Sequence, residues 1–103
     1  MNIVILITTK DTDEADKIAV ALTQDKLIAC ANIVSSVQSI FRWEGKVDYS
    51  QEALMIIKST QDNFKKIVKK VKTLHSYSCP EVIALPIVDG NPDYLKWIDE
   101  SLR

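Results

Sequence analysis

The sequence predicts one α+β domain with the element order β-α-β-β-α-β-α. Three observations predict it. An unbroken apolar run opens the chain, two long alternating runs meet at a Glu-Gly pair, and three separate stretches carry apolar residues at helical spacing. At 103 residues, the chain is one domain, long enough to bury a core without staples.

Residues 2–9, N-I-V-I-L-I-T-T, are mostly β-branched and apolar. That pattern suits a central strand buried on both faces. The polar residues 10–13 end it. Asp11 or Thr12 is placed to cap a helix, and Asp13, Glu14 and Asp16 complement its positive end. Ala15, Ile18, Ala19 and Leu22 then form the apolar stripe of that helix.

Over residues 27–43 the period changes to two. Ala31, Ile33, Val37, Phe41 and Trp43 share one parity, and Asn32, Ser36, Gln38 and Arg42 the other. Glu44-Gly45 supplies a tight turn. Residues 46–58 return as a second strand in which Val47, Tyr49, Ala53, Met55 and Ile57 alternate with Lys46, Asp48, Ser50 and Glu52. The first arm far exceeds the usual strand of ~5–6 residues, so the tip of this hairpin is expected to project beyond the sheet. Ser59, Thr60 or Asp62 is placed to cap the next helix. Phe64, Ile67, Val68, Val71 and Leu74 form its stripe, and lysines occupy its solvated face. Residues 75–80 connect to a strand over 81–88, where Pro86 demands an edge or a bulge. Asp89-Gly90 turns the chain. Asn91 caps a last helix with Pro92 at its first position, and Tyr94, Leu95, Ile98 and Leu102 are expected to face inward.

Two βαβ units joined by a hairpin make the ferredoxin-like split arrangement, here with an extra C-terminal helix. Right-handed crossovers leave the first and third strands in the middle. The second strand is then an edge carrying Ile33, Val37, Ile40, Phe41 and Trp43, with no proline and one arginine. Such an edge invites pairing with another chain. Either another copy covers it, in a dimer or a small ring, or the last helix covers it internally.

Composition excludes several classes of function. With 13 basic and 14 acidic residues and a net charge of -1, there is no basic surplus for nucleic acid. No apolar stretch approaches the ~20 residues of a membrane span. Cys30 and Cys79 do not make a disulfide framework. No basic leader precedes the first strand, so free thiols and a cytoplasmic address are expected. Only Gly45 and Gly90 are glycines, too few for a phosphate-cradling loop, and the single histidine has no serine partner at a strained turn. The sequence is therefore not expected to be an enzyme, and no cofactor is obligatory.

Five segments carry a resemblance: A-C-A-N-I (residues 29–33), F-R-W-E-G-K (41–46), I-I-K-S-T (56–60), L-H-S-Y-S-C-P-E-V-I-A-L-P-I (74–87) and G-N-P-D-Y-L-K-W-I (90–98). In this order and spacing the chain resembles the CutA family over nearly its whole length. The resemblance implies a tight homotrimer built through the long hairpin, similar in shape to the PII signalling trimers. It also implies a role in tolerance of divalent metals, copper above all. Two departures stand out. The family commonly reads H-P-Y-E where this chain has His75-Ser76-Tyr77-Ser78, and Thr8 and Thr9 stand where some relatives carry a cysteine.

Candidate ligands follow from residue chemistry and the resemblance together. Cys30 suits a soft cation, or is a small buried residue. His75 matches a metal-implicated position of the family, or is an exposed histidine at a helix end. Cys79 lies four residues on and could share a metal with His75, although two ligands fall short of a selective site. Lys58, Tyr77 and Glu81 match polar family positions and could line a pocket between subunits. Alternatively, Lys58 and Glu81 pair across neighbouring strands. Trp43 belongs either to that pocket or to packing at an interface.

Overall fold

The computed structural model describes residues 1–103. Its elements are β1 (Asn2–Thr9), α1 (Thr12–Gln24), β2 (Cys30–Trp43), β3 (Lys46–Thr60), α2 (Phe64–Leu74), β4 (Val82–Pro86) and α3 (Pro92–Ser101), with a 3-10 turn at Gln61–Asn63. The strands form one antiparallel sheet in the order β2-β3-β1-β4. This is the ferredoxin-like arrangement, with Pro86 on an edge strand as its missing N–H requires.

Local chemistry sets the helix starts. The Asp11 carboxylate accepts from the Glu14 N–H at 2.9 Å and caps α1. Asn91 Oδ1 accepts from the Asp93 N–H at 3.0 Å, with Pro92 at the first position of α3. The entry to α2 departs from expectation, since Ser59, Thr60 and Asp62 do not cap it. The 3-10 turn leads in, and Asn63 precedes Phe64 without a side-chain cap. Ser59 and Asn63 instead donate to the Leu27 carbonyl, which ties this junction to the start of β2.

The core is one layer between the sheet and the pair α1, α2. Ile5, Ile7, Met55 and Ile57 from the strands meet Ile18, Leu22, Ile67 and Val71 from the helices, all fully buried. The prediction that β1 is buried on both faces needs correction. Its odd residues are buried, but Val4, Leu6 and Thr8 are only half-buried. The reason is that α3 covers this second face incompletely. Of its expected inward residues only Ile98 is fully buried, and Tyr94 remains exposed. Beside it, Ile83 and Leu85, paired with Leu6 and Val4, are exposed as well.

The last pair between β1 and β3 is Thr9 with Ala53. Residues 46–52 of β3 and 37–43 of β2 run on as a two-stranded ribbon, about 23 Å at ~3.3 Å per residue. This ribbon makes the molecule 44 Å long but only 26 × 23 Å across. Glu44 (φ 51°) and Gly45 (φ 77°) close it with two left-handed residues, the pair whose twist matches the strands. Helix α3 does not shield the ribbon: Ile40, Phe41, Trp43, Val47 and Tyr49 are all exposed.

Candidate functional site

A bulge in β2 shapes the site. Val34 pairs with Leu54, but Val37 pairs with Glu52, so two residues of β2 oppose one of β3. One extra residue reverses which face each parity occupies. Ala31 and Ile33 stand with Ile57 and Met55 on the helix side, whereas Val37, Ser39 and Phe41 stand with Glu52, Ser50 and Asp48. The single parity expected from Ala31 to Trp43 therefore breaks, and Phe41 turns away from the core face.

On that side the ribbon and residues 77–81 enclose an open cleft of about 790 Å³. Trp43, Phe41 and Ile40 form its apolar wall. Glu52, Asp48, Glu81, Tyr77 and Cys79 supply its polar groups, along with several hydroxyls. No Lys, Arg or His lines it.

Residues 75–77 are fixed to the sheet by a buried polar network. The His75 side chain is fully buried, which corrects the exposed helix-end alternative. The Tyr77 N–H donates to His75 Nδ1 at 3.0 Å, so Nε2 carries the proton and donates to the Thr8 carbonyl at 2.8 Å. Both ring nitrogens are engaged, leaving no lone pair for a metal. Glu14 lies over this turn and accepts from the Ser76 N–H at 2.8 Å and the Lys10 N–H at 3.2 Å. Burial pushes the Glu14 carboxyl up, but hydrogen bonds from Ser76 and Lys10 and the nearby His75 outweigh it and hold it below its usual range. The Tyr77 hydroxyl donates to Glu52 Oε2 at 2.8 Å. Burial, that bond and the surrounding carboxylates push the phenol up to about 12, so it stays a donor. Glu14 and Glu52, both more than nine-tenths buried, were missed as site residues. Each sits at a position that suits solvent locally, one in the acidic first turn of a helix and the other in the polar parity of a strand.

The other predicted residues lie elsewhere. Cys30 pairs with Lys58, and Lys58 with Val4, four residues along β1 from Thr8 where His75 binds. That separation is about 13 Å along the strand. Cys30 Sγ instead lies 3.5 Å from Tyr94 Oη. This contact first, then burial and the thiol's charge, push the Tyr94 hydroxyl up to about 12. Lys58 donates to Asn32 Oδ1. It does not line the cleft, and it does not pair with Glu81, because β3 and β4 flank β1 on opposite sides. Of the predicted pocket, Trp43, Tyr77 and Glu81 do come together. Within one chain, no three His, Cys, Asp or Glu side chains are close enough to hold a metal ion.

Residues 3–101 match the family model described as CutA1 divalent ion tolerance protein. The chain belongs to the CutA family. It is 46% identical to the divalent-cation tolerance protein CutA of Thermus thermophilus, with 98% of each chain covered, and that protein's solved structure superposes with a TM-score of 0.96. The structure of the periplasmic divalent cation tolerance protein CutA from Archaeoglobus fulgidus gives a TM-score of 0.97 at 40% identity, covering 100% of both chains. The chloroplastic CutA protein of Arabidopsis thaliana is 41% identical over 99% of this chain, which spans 56% of the plant protein. CutA relatives are thus named for more than one compartment. In this member no helix is long and apolar enough to cross a membrane.

Proposed function

We propose that this CutA chain works as a homotrimer that takes up divalent cation, copper foremost, in the tolerance of metal ions. The observation that supports it best is the uncovered ribbon. About seven residues of each hairpin strand leave the sheet with exposed apolar side chains and one unpaired edge, a surface that pairing with further copies would cover. The thiols fit the same reading. Cys30 suits Cu(I), and the exposed Cys79 lines the cleft. Neither has companions in its own chain, so the site would be completed between subunits. His75 would join it only after releasing Thr8 and Tyr77. A cytoplasmic address and the absence of catalysis belong to this proposal. Native mass spectrometry of metal-free protein titrated with Cu(I), Cu(II) and Zn tests it. A trimer taking up one metal per subunit, with loss in Cys30→Ala or Cys79→Ala, is the expected result. A trimer that takes up none at micromolar metal defeats the metal reading, and a monomer defeats the assembly.

A second reading has its own support. The cleft gathers Trp43, Tyr77 and Glu81 in a space the size of a small-molecule site. A PII-like signalling or scaffold trimer would bind a small ligand or partner there. Thermal shift in a metal-free metabolite screen favours this reading if any compound stabilises the protein.

A further inference from the structure

We propose that the lysine face of α2 docks an acidic segment of a partner protein, held extended along the helix. Neither the thiols nor the cleft takes part. What carries the proposal is a conflict between α2 and its own stability. Helices α1 and α3 obey helix chemistry: each has a side-chain cap and acid in its first turn. Helix α2 has neither. It opens on Lys65 and Lys66, whose charge opposes the positive end of the helix dipole. Lys65 with Lys69, Lys66 with Lys70 and Lys69 with Lys72 stand three or four positions apart, so like charges meet along the face. Lys70 alone finds a partner, Asp25 at 3.2 Å. Lys65, Lys66, Lys69 and Lys72 are exposed and form no ion pair, not even with Asp62 in the preceding turn. An element that breaks local rules without a gain to the fold is marked for another use.

The face is unsuited to contacts between copies. Ile67 and Val71 commit the apolar stripe of α2 to the core, and lysine is depleted at the centres of protein interfaces. Its shape selects the partner. The strip is one helix wide and about 16 Å long. Beside it α1 exposes Asp13, Asp16 and Asp25, which an anionic membrane plane would also meet. No aromatic ring is exposed on α2 for bases to stack on. Lys65 and Lys69 are about 6 Å apart along the axis. An extended peptide with acids at alternate residues spaces its carboxylates by about 6.6 Å. Half-buried Val68 flanks this row, an apolar contact that a peptide can use and a bare phosphate chain cannot.

Fluorescence anisotropy with full-length protein in EDTA tests this, with a labelled Glu-Ala repeat peptide as the probe and a Gln-Ala repeat as its control. The Glu-Ala peptide is expected to bind at low salt and to weaken as salt rises, and the Gln-Ala peptide not to bind measurably. The double variant Lys65→Glu with Lys66→Glu is expected to bind about tenfold or more weakly. The same variant should melt about 4 °C or more higher, because it places acid in the first turn and sets Glu four residues before Lys69 and Lys70. Lys96→Gln, on α3, should leave binding unchanged. Phosphatidylserine vesicles and polyphosphate, run as rival probes, should bind more weakly than the peptide.

No binding of the Glu-Ala peptide, or binding that the double variant retains, overturns the docking surface. Tighter binding of vesicles or polyphosphate overturns the peptide as occupant. A fall in melting temperature in the double variant means that the lysines serve the fold, and a change in its native mass means that another copy uses the face; either result overturns the proposal.

Discussion

At the base of the β2–β3 hairpin, Met55 and Ile57 are fully buried beneath α1 and α2. At its tip, on the same two strands, Trp43, Val47 and Tyr49 stand in solvent. In both places β3 keeps apolar residues at odd positions, Val47 and Tyr49 at the tip and Met55 and Ile57 at the base. What differs is cover: β1 ends opposite Ala53, and beyond it β2 and β3 pair only with each other. An apolar alternation therefore marks a face that something covers, without saying whether the same chain does so. The bulge at Val34 to Val37 sits at the boundary and turns the ribbon's inward parity toward the cleft.

Perturbing the two regions separately breaks or sharpens this contrast. The largest effect is expected at the base. Ile57→Ala leaves a cavity in a closed core and should cost about 2–5 kcal/mol, read by urea unfolding and independent of protein concentration. Next comes the strap between them. Glu14→Gln replaces a charged acceptor shared by Ser76 and Lys10 and should cost about 1.5–3 kcal/mol. Because the folded state holds the Glu14 carboxyl low, its stabilisation is present above the ordinary carboxylate range. It should fade as pH falls below about 4.3, and Glu14→Gln should flatten that part of the stability profile.

At the tip, Ile40→Ser should cost about 1.5 kcal/mol per chain while the chains are associated, and the loss should shrink on dilution toward dissociation, because any cover there comes from another copy. A loss of the same size at every concentration would place the tip's cover within the chain. Gly45→Ala has open space around the new methyl group, so only its left-handed backbone matters, at about 1 kcal/mol. The smallest effect is spectroscopic. Tyr77 ionises near 12 in the folded protein, above the ~10 of a free phenol. Its contribution is complete below pH ~10 and is lost as pH rises toward 12. Tyr77→Phe should remove one late step from the tyrosinate absorbance titration.

Much of this protein was legible locally. The Asp11 and Asn91 caps, the Glu44-Gly45 turn, the edge position of Pro86 and the helical stripes each depend on residues a few positions apart. Sequence alone therefore determined the element order and the ferredoxin-like topology. The quoted segments, 29–33 to 90–98, also carried the CutA resemblance that the family match bears out. Tertiary structure decided what no local pattern holds. The Val34–Val37 bulge changed which face Phe41 occupies. The carbonyl of Thr8 and the carboxylate of Glu14, each more than 60 positions away, drew His75 and its turn into the interior. The Ser76 N–H went to Glu14, on a helix far away in the chain. Lys58 went to Asn32 rather than Glu81 because β1 lies between β3 and β4. Periodicity reports which side of an element is apolar; only the assembled fold brings distant polar groups within hydrogen-bond reach, and a buried polar group must take whichever partner that packing supplies.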